Sequence, residues 1–254
     1  YAIQEGYSFY NIRENRGLLR NLICRTSQLG ETMIIVCFGE NKKDHIEQIM
    51  GAISKRFIDL DALHYVINEK GNDSIHDLEV HHYKGKIYIE ESLNEMVFKI
   101  RPKSFFQTNT SQALKLYEKV KAYASLKSHE VLYDLYTGTG TIANYLAPSA
   151  QKVVGIEIIQ EAIMDAKENA ERNKNKNAQF YVGDVKEAFV EHLFEKEGRP
   201  DVVIANPARA GMHADVIRVL LKIQPERIVY VSCNPSTQAR DVAMLKDKYT
   251  PVKI

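Results

Sequence analysis

The sequence predicts an α/β protein in two parts. A doubly wound, mainly parallel sheet spans residues 96–254, and a small α/β module spans 1–95. Three observations lead there. From Glu130 onward, short apolar runs alternate with amphipathic ones. Those apolar runs are nearly continuous, as in strands buried on both faces. Each ends in a polar motif, where ligands gather in sheets of this kind.

The first part is read as follows. Gly17–Ser27 and Met33–Phe38 are strands joined by a turn at Gln28–Glu31. Asp44–Phe57 places Ile46, Ile49, Met50 and Ile53 at helical spacing. Ala62–Asn68 is a strand, broken by Gly71-Asn72-Asp73. Glu79–Tyr83 and Lys86–Glu90 read as a hairpin about Lys84-Gly85. His81 and His82 are adjacent, so on a strand they face opposite ways, as plain strand residues rather than metal ligands.

At the junction, a strand from Glu95 runs into Pro102, and an aromatic–amide segment follows. Phe105 and Phe106 are expected in the core. Gln107 is either a packing residue or a contact to a base edge. Asn109, Thr110 or Ser111 caps a helix running to about Ala124.

In the second part, Val131–Tyr136 is a strand entering T-G-T-G-T, with a helix near Ile142–Leu146. Lys152–Ile158 is a strand carrying Glu157 at its end, followed by the helix Glu161–Asn173. Gln179–Val182 leads to Gly183-Asp184 and one helix to about Phe194. Asp201–Ala205 ends in N-P-A-R, before the helix Ala214–Ile223. Arg227–Ser232 ends at Cys233, before the helix Ser236–Leu245.

Composition removes several classes. Net charge is +1, from 34 basic and 33 acidic residues, so any nucleic-acid contact must use local basic patches. No apolar run approaches the ~18 residues of a membrane span. The start, Y-A-I-Q-E-G, has no signal-peptide pattern and no initiator Met, which reads as a fragment or trimmed chain. Cys24, Cys37 and Cys233 are three, far apart, and contain no C-x-x-C. This argues against a disulfide framework or metal centre and for a reducing cytoplasm.

The motifs point to one chemistry. Gly138 and Gly140 let the backbone turn tightly and approach a ligand. Glu157, about 20 residues on, can accept hydrogen bonds from ribose hydroxyls. Position 143 is Ala143, so the full G-x-G-x-x-G is absent, and no G-K-[ST] is present. D-L-Y-T-G-T-G with an acidic second-strand end fits S-adenosylmethionine better than a nicotinamide cofactor. Asp184 either holds an adenine amino group or caps a helix. Asn206 can bond a flat heterocycle, and Arg209 a phosphate or carbonyl, although Asn-Pro is also an ordinary turn starter. Cys233 is either a core residue or a nucleophile. Beside a methyl-donor site, with Arg209 and Arg240 as candidate cationic neighbours, the nucleophile is the stronger reading.

Together S-F-F-Q-T-N (104–109), D-L-Y-T-G-T-G (134–140), G-I-E (155–157), N-P-A-R-A-G (206–211) and S-C-N-P-S-T-Q-A-R-D (232–241) resemble the S-adenosylmethionine-dependent RNA uracil-5-methyltransferases. The resemblance covers about 100–254, and residues 1–95 look like that family's central accessory domain. It implies a Rossmann-like class I methyltransferase sheet and a monomer acting on RNA, ribosomal (23S) ahead of transfer. It implies a cofactor site lined by Gln107, Tyr136, Gly138, Thr141, Glu157, Asp184 and Asn206, with Gln107, Asn206 and Arg209 toward the substrate. Cys233 would add to C6 of a uracil, making C5 nucleophilic toward the methyl group. The target base must be unstacked, so loop or single-stranded RNA is expected.

Three departures stand out. Asn206-Pro207-Ala208-Arg209 replaces the usual D-P-P-R, which leaves open an altered specificity or a non-catalytic binding relative. Thr141 replaces an Asn. The segment in which the family carries its proton-abstracting Glu, and its N-terminal RNA-binding barrel and cysteine cluster, are not found in this sequence. A methyltransferase acting on an exocyclic amine is a further alternative, disfavoured because Arg209 stands where those enzymes carry an aromatic.

Overall fold

Apolar strands of four to six residues with no polar face need cover on both sides, and a computed structural model of residues 1–254 supplies it. The chain divides into two compact units. One comprises residues 1–92 and 99–104, the other 93–98 and 105–254.

The first unit holds a four-stranded sheet. Its strands β1 (Leu19–Thr26), β2 (Thr32–Phe38), β3 (Ala62–Ile67) and β4 (His81–Gly85) lie in that order. Helix α1 (Lys43–Arg56) connects β2 to the parallel β3. It turns Ile46, Ile49 and Met50 onto Leu18, Val36, Phe38 and Leu63, the core that its periodicity foretells. Tyr65 stacks on His81 at 4.6 Å, while the buried His64 lies 5.3 Å from the His82 ring, so the two adjacent histidines do face opposite ways.

The hairpin expected about Lys84-Gly85 does not form. β4 pairs antiparallel with β3, and β5 (Ile89–Leu93) pairs instead with β6 (Met96–Ile100). Gly85 has a positive φ (+81°) and sits so close to the β3 entrance that a Cβ would lie 2.1 Å from the Asp61 carbonyl. It closes β4 against β3 rather than turning it toward β5. The tight turn is Asn94, which takes the left-handed conformation (φ 55°) that Asn tolerates better than most residues.

The second unit opens with α2 (Thr110–Ala124), capped by Asn109, whose side chain accepts the Gln112 N–H. Its sheet runs β11 (Arg227–Tyr230), β10 (Val202–Ala205), β7 (Val131–Leu135), β8 (Lys152–Glu157), β9 (Ala178–Val182), with the paired strands parallel. The first strand made is the central one. Alternate residues serve opposite faces. Leu132, Val153, Val202 and Ile204 pack with α2, α3 (Thr141–Leu146) and α4 (Gln160–Arg172). Tyr133, Leu135, Val154, Ile156 and Val203 pack toward α5 (Val185–Ala188), α6 (Glu191–Glu197), α7 (Ala214–Ile223) and α8 (Pro235–Leu245).

Two expectations are corrected here. The helix expected to run unbroken to Phe194 is split into α5 and α6, because Phe189 leaves the helical path to fill the core beside Tyr133 and Phe194. β11 ends at Tyr230 and not at Cys233, so the thiol sits on a loop. The entrance to β11 is fixed instead. Arg227 donates to the Ala124 carbonyl and pairs with the buried Glu130 at 2.5 Å, and no helix is long and apolar enough to cross a membrane.

Candidate functional site

The site is built at the carboxyl ends of the five parallel strands. At the end of β7 the chain passes through Tyr136 (φ 63°), Gly138 (φ 55°) and Gly140 (φ 73°) before α3. A non-glycine residue in the left-handed region stores roughly 1–3 kcal/mol, which surrounding contacts must hold in place. Those contacts are visible. The Asp134 Oδ2 accepts the Thr137 hydroxyl at 2.6 Å and the Ala143 N–H at 3.1 Å. From behind, Asn144 Nδ2 donates to the Gly140 carbonyl at 2.9 Å and Asn169 Nδ2 to the Thr139 carbonyl at 3.3 Å. Asn175 Nδ2 donates in turn to Asn144 Oδ1 at 2.9 Å. The glycine turn is therefore held on an amide scaffold.

A side chain at Gly140 would force its surroundings to shift, since a Cβ would lie 2.8 Å from the Ala166 Cβ and 3.0 Å from Phe180. Gly138 is different: nothing lies within 4 Å of its Cβ position, so its surface faces open space. Its N–H donates to Glu157 Oε2 at 3.1 Å. The other Glu157 oxygen accepts the N–H groups of Ile158 and Ile159. Glu157 is thus a fixed carboxylate at the rim of the turn, with Ile158 (61% exposed) and Ile159 as an adjacent apolar surface.

Asp134 is wholly buried, and its Oδ1 has no hydrogen-bond partner. Burial pushes its carboxyl up to about 7, aided by the charge of Glu157 and opposed by the Thr137 and Ala143 hydrogen bonds. Burial also raises the Tyr136 hydroxyl to about 12, against a hydrogen bond from the His213 backbone. Asp184 is the N-cap of α5, accepting the Lys186 N–H and pairing with the Lys186 ammonium at 3.1 Å. Burial alone would raise its pKa, but those two bonds outweigh it and hold the carboxyl below its ordinary value.

The aromatic–amide segment reaches the glycine turn through the Thr139 hydroxyl, which donates to the Phe105 carbonyl at 3.4 Å and lies 3.3 Å from the Thr141 hydroxyl. Phe106 packs on the core, 6.1 Å from Phe98. Phe105, expected in the core, is 67% exposed, because adjacent residues in an extended segment point opposite ways. Gln107 is half-buried beside it.

The remaining motifs lie on neighbouring strand ends. Asn206 follows β10 and is half-buried, Arg209 is exposed, and the exposed Cys233 lies three residues past β11. Their two loops are joined. Asn234 caps α8 and donates to the Arg209 carbonyl at 2.9 Å, and the Thr237 hydroxyl donates to the same carbonyl at 3.1 Å. Arg240 donates to the Ala210 carbonyl at 2.9 Å. It is also paired with Asp241 at 2.6 Å, so its charge is committed there and is not free for Cys233. Sequence reasoning did not single out Asn144, Asn169, Asn234, Thr237 or Asp241. The available signals were T-I-A-N-Y, a helical polar residue in an otherwise buried helix, and Asn-Pro as a helix start.

Residues 126–253 match the family described as a methyltransferase domain. A Bacteroides thetaiotaomicron protein described as an uncharacterized RNA methyltransferase is 50% identical over 252 residues. The match takes in 98% of this chain and 56% of that protein. One from Staphylococcus epidermidis with the same description is 36% identical, over 97% of this chain and 54% of its own length. The chain therefore spans little more than half of these relatives. Among solved structures, the Pyrococcus abyssi tRNA (uracil-54, C5)-methyltransferase in complex with S-adenosyl-L-homocysteine superposes with a TM-score of 0.77 at 33% identity. It matches 96% of this chain and 58% of that one. The Methanocaldococcus jannaschii tRNA m1G37 methyltransferase (TM-score 0.54, 15% identity) shares the fold alone, over 94% of this chain and 70% of that one.

Proposed function

This chain belongs to the methyltransferase-domain family, and from that premise we propose that it is the core of an RNA uracil-5-methyltransferase using S-adenosylmethionine. One observation carries the reading. Cys233 is exposed on the loop after β11, which is hydrogen-bonded to the Asn206–Arg209 loop, at the same carboxyl end of the sheet as the glycine turn.

The residues of the turn fit the cofactor. Open space over Gly138, the fixed Glu157 carboxylate and the apolar surface of Ile158 and Ile159 suit an adenosine with its ribose hydroxyls. Glu157, the carboxylate at the rim of the turn, suits a cationic ligand. Gln107, Tyr136, Thr141 and Asn206 complete the proposed lining. Bound there, the cofactor supplies an electrophilic methyl group.

The chain supplies the activation of the other reactant. C5 of uracil is a weak nucleophile. When the Cys233 thiolate bonds to C6, the C5–C6 π electrons move toward C5, which would form the new carbon–carbon bond as the methyl group's bond to the cofactor's sulfonium breaks and that sulfur keeps the electron pair. A base removes the C5 proton, the double bond returns, and the Cys233–C6 bond breaks with sulfur keeping its electron pair. Asn206 can offer an amide oxygen to N3–H and an amide N–H to O4 of the same ring. Arg209, exposed on the same loop, suits a phosphate.

We propose 23S ribosomal RNA as the substrate on the sequence resemblance, although the structural neighbour is named for tRNA. The test is transfer of labelled methyl from S-adenosylmethionine to RNA by the full-length protein, with Cys233→Ala beside it. Transfer that survives the substitution sinks the mechanism. Mass spectrometry of 5-methyluridine in each RNA from cells lacking the gene separates ribosomal from transfer RNA.

A further inference from the structure

Helix α8 begins two residues after Cys233, yet its N-cap and three of its side chains are spent on a different loop. Asp241 lies at the centre of this. Its side chain is fully buried, an expensive place for a carboxylate unless every lone pair is used. One oxygen accepts the Met212 N–H at 2.7 Å and the Tyr230 hydroxyl at 2.6 Å, and the other accepts Arg240 Nε at 2.8 Å. Arg240 carries the connection on to the Ala210 carbonyl. Asp241 thus touches the last residue of β11, the helix following Cys233 and the loop following Asn206. The fit is close: at Gly211 (φ +82°) a Cβ would lie 2.5 Å from Asp241 Oδ2 and 2.6 Å from Arg240.

Resting on the reading proposed above, we infer that Asp241 is a positioning residue that fixes the Cys233 loop relative to the Asn206–Met212 loop. In this role it never meets substrate. A nucleophile aimed at C6 and an amide reading the N3–O4 edge of the same flat ring must keep one fixed separation. The two groups sit on different loops of adjacent strands, so something rigid must span them. The Asp241 carboxylate, with Arg240, Asn234 and Thr237, is that span. Tyr136 meets the same loop from the cofactor side, through the His213 backbone.

The experiment is Asp241→Asn in the full-length protein. The amide keeps the volume but presents a donor where two oxygens accept. The expected result is a fall in kcat of about 100-fold, the scale of a 1 Å misplacement, with S-adenosylhomocysteine affinity within about threefold of wild type. Trapping of Cys233 by RNA carrying 5-fluorouridine, whose C5 cannot lose its fluorine as a proton, slows in parallel. If kcat is unchanged, or if kcat and cofactor affinity fall together, Asp241 is a packing residue and the inference fails. Should this variant not fold, Tyr230→Phe removes one hydrogen bond and leaves the charge pair. It is expected to lower kcat about tenfold with cofactor affinity retained, and an unchanged kcat overturns the inference. A wild-type protein that binds S-adenosylhomocysteine but neither methylates nor traps RNA counts against the proposed reaction and not against the span. The span is then read by hydrogen exchange, expected about tenfold faster over 208–212 in Asp241→Asn, and unchanged exchange overturns it.

Discussion

Asp134 gives the sharpest test of the glycine turn. Its carboxyl has a value of about 7 in the folded chain against 3.8 for a free side chain, because burial disfavours the charge and Glu157 opposes it. A folded value raised above the unfolded one means that the folded state binds more protons between the two. Stability from this group is complete below pH 3.8 and is lost as pH rises through about 7. The whole effect is about 4 kcal/mol at 1.36 kcal/mol per pH unit, and about 3 kcal/mol of it falls between pH 5 and pH 8. Asp134→Asn keeps an oxygen for the Thr137 hydroxyl and Ala143 N–H and places the amide where Oδ1 has no partner. The variant should therefore lose this slope while keeping the turn. Urea unfolding, followed by circular dichroism from pH 5 to pH 8, measures it for both proteins. The difference in stability between pH 5 and pH 8 should be about 3 kcal/mol larger in wild type than in the variant. Parallel profiles would refute the argument that a buried charge is carried here at neutral pH.

Three further outcomes follow from the same geometry. Gly140→Ala places a Cβ against Ala166, Asn144 and Phe180 at a positive φ. It should cost about 2–4 kcal/mol in urea unfolding, and a loss below 1 would mean that the turn relaxes freely. Glu157→Gln leaves three backbone N–H groups sharing one neutral oxygen. Calorimetry should show S-adenosylhomocysteine binding weaker by about tenfold with little change in melting temperature. In the first unit, burial and the neighbouring His82 hold the His64 imidazole down to about 4 from 6.5. There the unfolded state binds the extra proton, so stability present above pH 6.5 is lost as pH falls toward 4, by about 3 kcal/mol. His64→Leu should remove that loss, read by hydrogen exchange of β3; an equally steep acid profile in the variant counts against it.

The parallel sheet was legible because its strands are nearly continuous apolar runs and its helices are not. Leu132–Leu135, Val153–Ile156 and Val202–Ala205 announce burial on two faces without reference to any partner. Glu157 and the two glycines were legible because strand ends are where such residues have a use. What the chain order hides is pairing at long range. Gly85 marks a turn in any sequence, but only the Asp61 carbonyl decides that the turn closes on β3. Phe189 interrupts a helix for a core vacancy formed by Tyr133 and Phe194. Asp241 looks like one more charge on an exposed helix until the Met212 N–H, 29 residues away, is seen to need it.

The strand order also has a consequence for how the chain is made. β7 lies at the centre of the second sheet, but its two neighbours are synthesised at very different times. β8 follows within about 20 residues, whereas β10 begins at Val202, some 70 residues after Val131. During that interval one edge of β7 exposes unpaired backbone and the apolar side chains that β10 will cover, the kind of edge that recruits a second nascent chain. The glycine turn is assembled early, with β8, α3 and α4 already in place to support it. The Cys233 loop follows β11, after the glycine turn and its supports have been made.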